Sequence, residues 1–138
     1  MHKDESRILI IDDDATLVSQ LVEILAEDGY RVGFALNAQD GLASLDTVAY
    51  DLIVLDINMP FMDGFDLLKE LKSNKRHKLI PILMSTAEAD RESVLKAIHL
   101  GADDYIVKPI DKRLFLHKIA ELFKIRNFIK KWGVLPKE

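Results

Sequence analysis

The chain has 138 residues, of which 49% are apolar and 30% charged, and it contains no cysteine. This composition predicts one globular domain with a sizeable core and excludes a disulfide framework and thiol chemistry. A formal charge of −4 argues against direct nucleic-acid binding, and no apolar run is long enough to cross a bilayer. The polar start MHKDES lacks the apolar stretch of a signal peptide. We therefore expect a disordered segment over residues 1–6 and a cytoplasmic location.

Short apolar runs recur along the chain and predict five β-strands. The runs are Ile8–Ile11, Val32–Leu36, Leu52–Leu55, Ile80–Met84 and Tyr105–Val107. Each is apolar almost throughout, as strands are when helices cover both faces of a sheet. Helical patterns alternate with the runs, which favours an α/β fold with a doubly wound parallel sheet.

Caps and apolar periodicity indicate where five helices begin and end. The first helix is expected to end at Gly29, and the fourth to run from about Glu88 to Leu100. The N-caps of the second, third and last helices are expected at Asn37, Asp63 and Asp111, and the last helix is expected to run to about Trp132. Crossovers between parallel strands are right-handed, and we expect the strand order 2-1-3-4-5, one of the common orders of doubly wound sheets, which reverses between the first and third strands.

Reactive side chains follow four of the five runs. They are Asp12 and Asp13, Asp56, the pair Ser85 and Thr86, and Lys108. Because parallel strands end at one edge of a sheet, these groups are expected to converge there. Grouped carboxylates suit Mg²⁺, and an aspartate can act as a nucleophile toward phosphorus. Lys108 would neutralise one phosphoryl oxygen, and the Thr86 hydroxyl could donate to another.

Each of these residues also has an ordinary structural interpretation. A run of aspartates before a helix commonly caps it, Asp56 alone suits a turn, and Lys108 alone suits a solvated surface. Jointly, these interpretations require unrelated coincidences at four matched strand ends. The convergent site is therefore the favoured interpretation.

Four blocks of the sequence together resemble the receiver domain of two-component response regulators. The blocks are ILIIDDD, DLIVLDINMPFMDGFDLL, PILMSTAEA and GADDYIVKPI. They stand in the family's order and spacing, with a close similarity to single-domain chemotaxis regulators. The resemblance implies a flavodoxin-like (βα)5 fold over residues 7–124. Residues 125–138 would then be a C-terminal helical extension and a tail or the start of a linker.

The resemblance assigns expected roles to the acidic residues. Asp56 is similar to the family's phosphoacceptor. Asp13 corresponds to a direct Mg²⁺ ligand and Asp12 to one that binds chiefly through water. Asn58 would supply a backbone carbonyl to the metal. The side chains of Asn58 and Glu88 stand where the family tunes the hydrolysis of the aspartyl phosphate.

The resemblance also implies a switch. Thr86 is similar to the hydroxyl that moves toward the phosphoryl group, and Tyr105 to the aromatic residue that turns inward with it. Lys108 resembles the lysine that faces the phosphate, and the Lys108–Pro109 bond is expected to be cis. Phosphorylation would remodel the face formed by the fourth helix, fifth strand and fifth helix.

The implied function is that of a phosphoacceptor, not an enzyme. A sensor histidine kinase or a phosphotransfer protein would donate a phosphoryl group from a phosphohistidine to Asp56, and Mg²⁺ would be the cofactor. The modified domain would control a downstream partner or an output domain. The kinase, the pathway and the output are not specified by the sequence.

Two other functions share features with this sequence. A phosphatase of the haloacid dehalogenase type also uses a strand-end aspartate and Mg²⁺. It normally has a second acid two residues later, where this chain has Asn58, and an amide cannot serve as a general acid. A flavodoxin-like cofactor binder would need a phosphate loop rich in Ser, Thr and Gly, where this chain has three aspartates.

Three further segments have more than one interpretation. Leu122, Ile125, Ile129 and Trp132 are spaced like a coiled-coil seam, which predicts a homodimer or a connection to an output domain, or else a short amphipathic cap. The apolar loop Met59–Met62 is expected to pack over the third helix, with partner binding as the alternative. The basic loop Ser73–Leu79 and the four histidines are expected to be solvated.

Overall fold

The computed structural model describes residues 3–87 and 90–133. Its five strands are β1 (Arg7–Ile11), β2 (Arg31–Ala35), β3 (Leu52–Asp56), β4 (Ile82–Thr86) and β5 (Asp104–Val107). They form one parallel sheet in the order β2-β1-β3-β4-β5. The predicted fold and strand order are thus confirmed.

Five α-helices alternate with the strands: α1 (Ala15–Glu27), α2 (Ala38–Thr47), α3 (Gly64–Ser73), α4 (Arg91–His99) and α5 (Lys112–Trp132). The predicted N-caps of α2, α3 and α5 are confirmed, since each side chain accepts a hydrogen bond from a first-turn backbone N–H. Helix α5 ends at Gly133, whose φ of 73° is the left-handed conformation that glycine adopts readily.

The helices divide between the two faces of the sheet according to the alternation of side chains along each strand. On one face, Leu9, Ile53 and Ile82 belong to a core shared with α2, α3 and α4. On the other face, Ile8, Leu52 and Leu83 pack with α1 and α5. The central strands are therefore buried on both sides, which explains why their sequences are apolar throughout.

Strand β4 lies two residues further along the chain than its apolar run predicts. The expected run was Ile80–Met84, but the strand is Ile82–Thr86. The Ile80 N–H closes a turn by donating to the His77 carbonyl at 3.0 Å, and Pro81 has no N–H to give to a ladder. Ser85 and Thr86 consequently belong to the strand itself.

Two polar segments bear on the expectations. Disorder was expected over residues 1–6; residues 1 and 2 lie outside the described residues, whereas Lys3–Glu5 form a single 3₁₀ turn and Lys3 makes an ion pair with Asp28 at 3.1 Å. His77 was expected at the surface, but it is 6% exposed. Its loop turns back toward the sheet through the hydrogen bond to Ile80, which carries the imidazole inward. Within residues 3–87 and 90–133, no helix is both long and apolar enough to cross a membrane.

Candidate functional site

The sheet brings acidic residues from two neighbouring strands to one edge. Asp12 directly follows β1, and Asp56 is the last residue of β3. These strands pair in parallel, with Ile11 opposite Leu55. Asp12 and Asp56 are 2% and 3% exposed, whereas Asp13 is exposed to solvent. The edge therefore carries two buried carboxylates beside one that water can reach.

Local hydrogen bonds orient these carboxylates. The Asp14 N–H donates to Asp12 Oδ1 at 2.9 Å, and the Asn58 N–H donates to Asp56 Oδ1 at 3.3 Å. Asp14 itself caps α1 by accepting from the Leu17 N–H at 3.1 Å. The run of aspartates therefore has both of its predicted roles, since Asp14 caps α1 and Asp12 faces the site.

The three carboxylates are close enough to share a cation. One oxygen each from Asp12, Asp13 and Asp56 can be chosen so that all three lie within 4.8 Å of one another. Mg²⁺ takes oxygen ligands at about 2.0–2.1 Å in octahedral geometry, so the set is of a suitable size and chemistry. Two of the three acids are buried, and a dication would offset their mutual repulsion. The residues present therefore fit Mg²⁺.

Lys108 crosses over from the end of β5 to reach both buried acids. Its Nζ lies 2.9 Å from Asp12 Oδ2 and 3.2 Å from Asp56 Oδ1. The Lys108–Pro109 peptide bond is cis, and the Lys108 N–H donates to the Thr86 carbonyl at 2.8 Å. The hydrogen bond fixes the Lys108 backbone beside the end of β4, and the two carboxylates hold its ammonium at the site.

The electrostatic balance of the site leaves Asp56 easy to protonate. Burial and the nearby charge of Asp12 raise the pKa of Asp56 to about 6, although Lys108 opposes the shift. Burial alone would lower the pKa of Lys108, but its hydrogen bond to Asp12 and the charge of Asp56 leave that pKa above its usual value. A single ammonium thus only partly offsets the two buried acids.

Thr86 and Tyr105 lie on the neighbouring strands β4 and β5, where Tyr105 pairs with Met84 and Thr86 with Val107. Thr86 is the last residue of β4 and is 1% exposed, and Tyr105 is partly buried in β5. The Lys118 ammonium lies 5.3 Å from the centre of the Tyr105 ring and 3.0 Å from Asp104 Oδ1. Glu88, which was also predicted to belong to the site, lies outside the described residues.

The loop after β3 is partly packed and partly exposed. Met59 is buried and Met62 packs against the core, in agreement with the expected packing over α3. Asn58 is exposed and so can present its side chain beside Asp56. Phe61 is 98% exposed and has a φ of 70°, a conformation that is uncommon for a bulky residue.

Gly64 also belongs to the site, although the sequence pattern did not predict it. A Cβ placed on Gly64 would lie 2.2 Å from the Asp56 carbonyl oxygen, and the Gly64 N–H donates to the Ile57 carbonyl at 2.7 Å. Only glycine permits α3 to start so close to the residue that carries the buried carboxylate. The available signal was the dipeptide Asp63-Gly64, where an N-cap precedes a residue that disfavours helices.

The arrangement combines a nucleophile, a cation site and a fixed positive charge. Asp56 is buried, but its edge of the sheet opens toward the exposed Asp13. Lys108 lies within hydrogen-bond distance of Asp56 and could equally meet an oxygen of a group attached there. These features suit reversible attachment of a phosphoryl group to a carboxylate.

Comparison with known proteins gives matches over most of the chain. Residues 8–120 match the sequence model of a family described as the response regulator receiver domain. The transcriptional regulatory protein PcoR of Escherichia coli is 34% identical over 118 residues, which are 86% of this chain and 51% of PcoR. The chemotaxis protein CheY-3 of Vibrio cholerae is 36% identical over 121 residues, 86% of this chain and 92% of CheY-3.

Solved structures show the same architecture. A CheY-like response regulator receiver domain protein from Methanospirillum hungatei JF-1 superposes with a TM-score of 0.82 at 34% identity, covering 88% of this chain and 96% of the other. The chain thus spans about half the length of PcoR and nearly all of these shorter relatives.

Proposed function

The chain belongs to the response regulator receiver family of two-component signalling, and on that premise we propose that Asp56 accepts a phosphoryl group from a phosphohistidine. The donor is a sensor histidine kinase or a phosphotransfer protein. The observation that carries the proposal is the contact of one ammonium, Lys108, with two buried carboxylates at the edge of the sheet. The protein is a stoichiometric acceptor rather than a classical enzyme.

The transfer exchanges one bond to phosphorus for another. An oxygen of the Asp56 carboxylate forms a bond to phosphorus while the bond from phosphorus to the donor imidazole nitrogen breaks, and that nitrogen keeps the electron pair. Lys108 then meets a phosphoryl oxygen in place of Asp56 Oδ1. Water later attacks the acyl phosphate and releases inorganic phosphate, which restores the carboxylate.

Asp12, Asp13 and Asp56 would hold Mg²⁺, together with the backbone carbonyl of Asn58. When bound, the ion supplies positive charge to the oxygens around phosphorus during transfer. The spacing of the three carboxylates supports this assignment. By resemblance to the family, Asp13 is assigned as a direct ligand and Asp12 as one that binds the ion chiefly through water.

Thr86, Tyr105 and the last helix carry the response. Thr86 moves toward the phosphoryl oxygens and Tyr105 turns inward with it, which remodels the face of α4, β5 and α5. The pairing of β4 with β5, which brings Tyr105 beside Met84, two residues before Thr86, supports this coupling. The side chains of Asn58 and Glu88 set the lifetime of the phosphorylated state.

The downstream target is a partner protein or an output domain, and the extension of α5 to Trp132 supports a role in that connection. The apolar seam of this extension also suits a homodimer.

The phosphoacceptor assignment is tested by mass spectrometry after incubation with acetyl phosphate and Mg²⁺. We expect the wild-type chain to gain one phosphoryl group and Asp56→Asn to gain none. The Asp13→Asn variant should need much more Mg²⁺ than the wild type for the same extent of modification. Persistent phosphorylation of Asp56→Asn would disprove the assignment.

A further inference from the structure

Two segments on the side of the molecule away from the acidic site contain lysines and arginines but no acidic residue. Residues 72–78 and residues 122–132 each contain four lysines or arginines and no aspartate or glutamate. The chain as a whole carries a formal charge of −4. Positive charge is therefore concentrated where the α3–β4 loop meets the second half of α5.

An apolar groove lies between these two segments. Its wall includes Leu79, Pro81, Ile125 and Ile129, and its volume is about 240 Å³. Leu79 is 78% exposed and Ile125 is 39% exposed. Trp132, which is 61% exposed, continues the helical stripe of Ile125 and Ile129. Exposed apolar side chains gathered in one concave place indicate an interaction site.

Most cations of the two basic segments that flank the groove are not neutralised by the protein itself. Among the described residues, Lys75, Arg76, Lys78, Lys130 and Lys131 have no acidic partner. Two neighbouring cations are already engaged, because Lys72 pairs with Asp103 and Arg126 with Asp51.

The acid at the groove is also engaged. Asp103 lies in the groove wall, and its carboxylate accepts hydrogen bonds from Lys72 Nζ and from the Ile82 N–H. The unpaired charge at the rim is thus entirely positive.

We propose that this groove docks an acidic amphipathic helix of a partner protein. The helix would place its apolar residues against Leu79, Ile125 and Ile129, and its carboxylates against the basic rim. A second copy of this chain, which the apolar seam of α5 would also suit, would bring Lys130 and Lys131 against the same basic residues, so the charge favours the acidic helix as the occupant. The concave shape favours a protein side chain over a flat lipid surface.

The groove is separate from the site at Asp56. Leu79 and Pro81 precede β4, whereas Asp56 and Thr86 lie at the carboxyl ends of their strands. Docking would therefore leave the phosphoryl-acceptor edge open, so one chain could hold this partner and receive a phosphoryl group. The inference does not depend on the proposed function.

A synthetic helix tests the proposal with the intact chain. The probe is a peptide of about 18 residues with leucines three and four apart on one face and glutamates elsewhere. Its control has glutamines in place of the glutamates. Trp132 is the only tryptophan of the chain and lies three residues beyond Ile129 on α5, so its fluorescence is the readout of binding.

We expect saturable binding of the acidic peptide with a Kd on the order of 10 μM, and at least fivefold weaker binding of the glutamine control. Leu79→Ser and the double variant Lys130→Gln/Lys131→Gln should each weaken binding of the acidic peptide at least fivefold. Leu95→Ser and Lys112→Gln, which change exposed residues elsewhere, should bind like the wild type.

Three results would overturn the proposal. The first is an absence of saturable binding by the acidic peptide, and the second is equal affinity in the groove variants and the wild type. The third is a response of Trp132 to phosphatidylglycerol vesicles but not to the peptide, which would assign the surface to an anionic membrane instead. Circular dichroism of each variant ensures that lost binding does not reflect unfolding.

Discussion

At the scale of single residues, the ionisation of Asp56 should reduce stability. Its pKa is raised to about 6 in the folded protein from a usual value of 3.8, because of burial and the charge of Asp12. Well below pH 3.8 the carboxyl is protonated in both states. As the pH rises from 3.8 to about 6, Asp56 ionises first in the unfolded chain, so the free energy of unfolding falls, and it levels off above about pH 6.

Asp56→Asn should therefore be more stable than the wild type at neutral pH. The substitution removes a cost of up to about 3 kcal/mol, since each pKa unit corresponds to about 1.36 kcal/mol. Urea unfolding in a chelating buffer, repeated from pH 4 to pH 8, measures the difference. The gain should grow between about pH 4 and pH 6. A gain independent of pH would show that the charge of Asp56 is not its cause.

Phe61 stores strain that no packing contact offsets. It is 98% exposed and has a φ of 70°, where a residue with a Cβ is disfavoured by about 1–2 kcal/mol. Phe61→Gly should raise the free energy of unfolding by about 0.5–1 kcal/mol, because glycine adopts this φ freely but loses more entropy on folding. Phe61→Ala keeps the Cβ and should show no such gain. Equal stability of both variants would contradict the strain argument.

At the scale of secondary-structure elements, the start of α3 depends on Gly64. Alanine normally favours a helix over glycine by about 1 kcal/mol. At Gly64, however, the new Cβ would lie 2.2 Å from the Asp56 carbonyl oxygen and 2.6 Å from Ile57 Cα. Both are backbone atoms and cannot rotate away. We therefore expect Gly64→Ala to lower the free energy of unfolding by about 2–3 kcal/mol and to slow phosphorylation of Asp56.

Gly41→Ala is the matched comparison in α2. Its Cβ would meet Ile11 Cδ1 at 2.6 Å, which is the end of a side chain that can adjust. Its cost in urea denaturation should consequently be smaller than that of Gly64→Ala. If Gly64→Ala were as stable as the wild type, the close approach of α3 to β3 would not constrain the site.

The elements that the sequence predicted well are those with periodic apolar residues and side-chain caps. The caps Asn37, Asp63 and Asp111 accept hydrogen bonds from residues two or three positions later. A short stretch of sequence is therefore enough to predict where their helices begin. The limits of β4 were wrong because Ile80 is apolar but belongs to a turn. The burial of His77 and the conformation of Phe61 depend on tertiary contacts and backbone angles, which apolar patterns do not record.

The site itself was predictable in position but not in its internal contacts. Strand-end residues must meet once a parallel sheet forms, which places Asp12 and Asp56 together. The pairing of Lys108 with both acids depends on the path of the chain after β5. The closeness of Gly64 to Asp56 depends on the start of α3. Neither follows from spacing in the sequence alone.

At the scale of the whole molecule, an ion pair joins α5 to Asp51, the residue just before the central strand β3. Arg126 donates to the Asp51 carbonyl, and its Nη2 lies 3.5 Å from Asp51 Oδ1. The two side chains are only 16% and 14% exposed. Arg126→Met should therefore lower the free energy of unfolding by about 1–3 kcal/mol, since it leaves Asp51 with less compensation for its burial.

Lys124→Met provides the control on the same helix. Lys124 lies 3.6 Å from Glu121, and these side chains are 76% and 49% exposed. Solvent screens such a pair, so the substitution should change stability by less than about 0.5 kcal/mol. Similar effects of the two substitutions in thermal unfolding would mean that Arg126 does not fasten the helix.

The acidic site is assembled from residues far apart along the chain, since Lys108 is separated from Asp12 by 96 positions and from Asp56 by 52. During synthesis, a nascent chain that has emerged from the ribosome only as far as β4 carries Asp12, Asp13 and Asp56 but lacks Lys108 and the packing of α5 against the sheet. If Asp56 accepts a phosphoryl group as proposed, this ability should consequently arise only after β5 and α5 have docked. An unfinished chain would then take few phosphoryl groups from the donor.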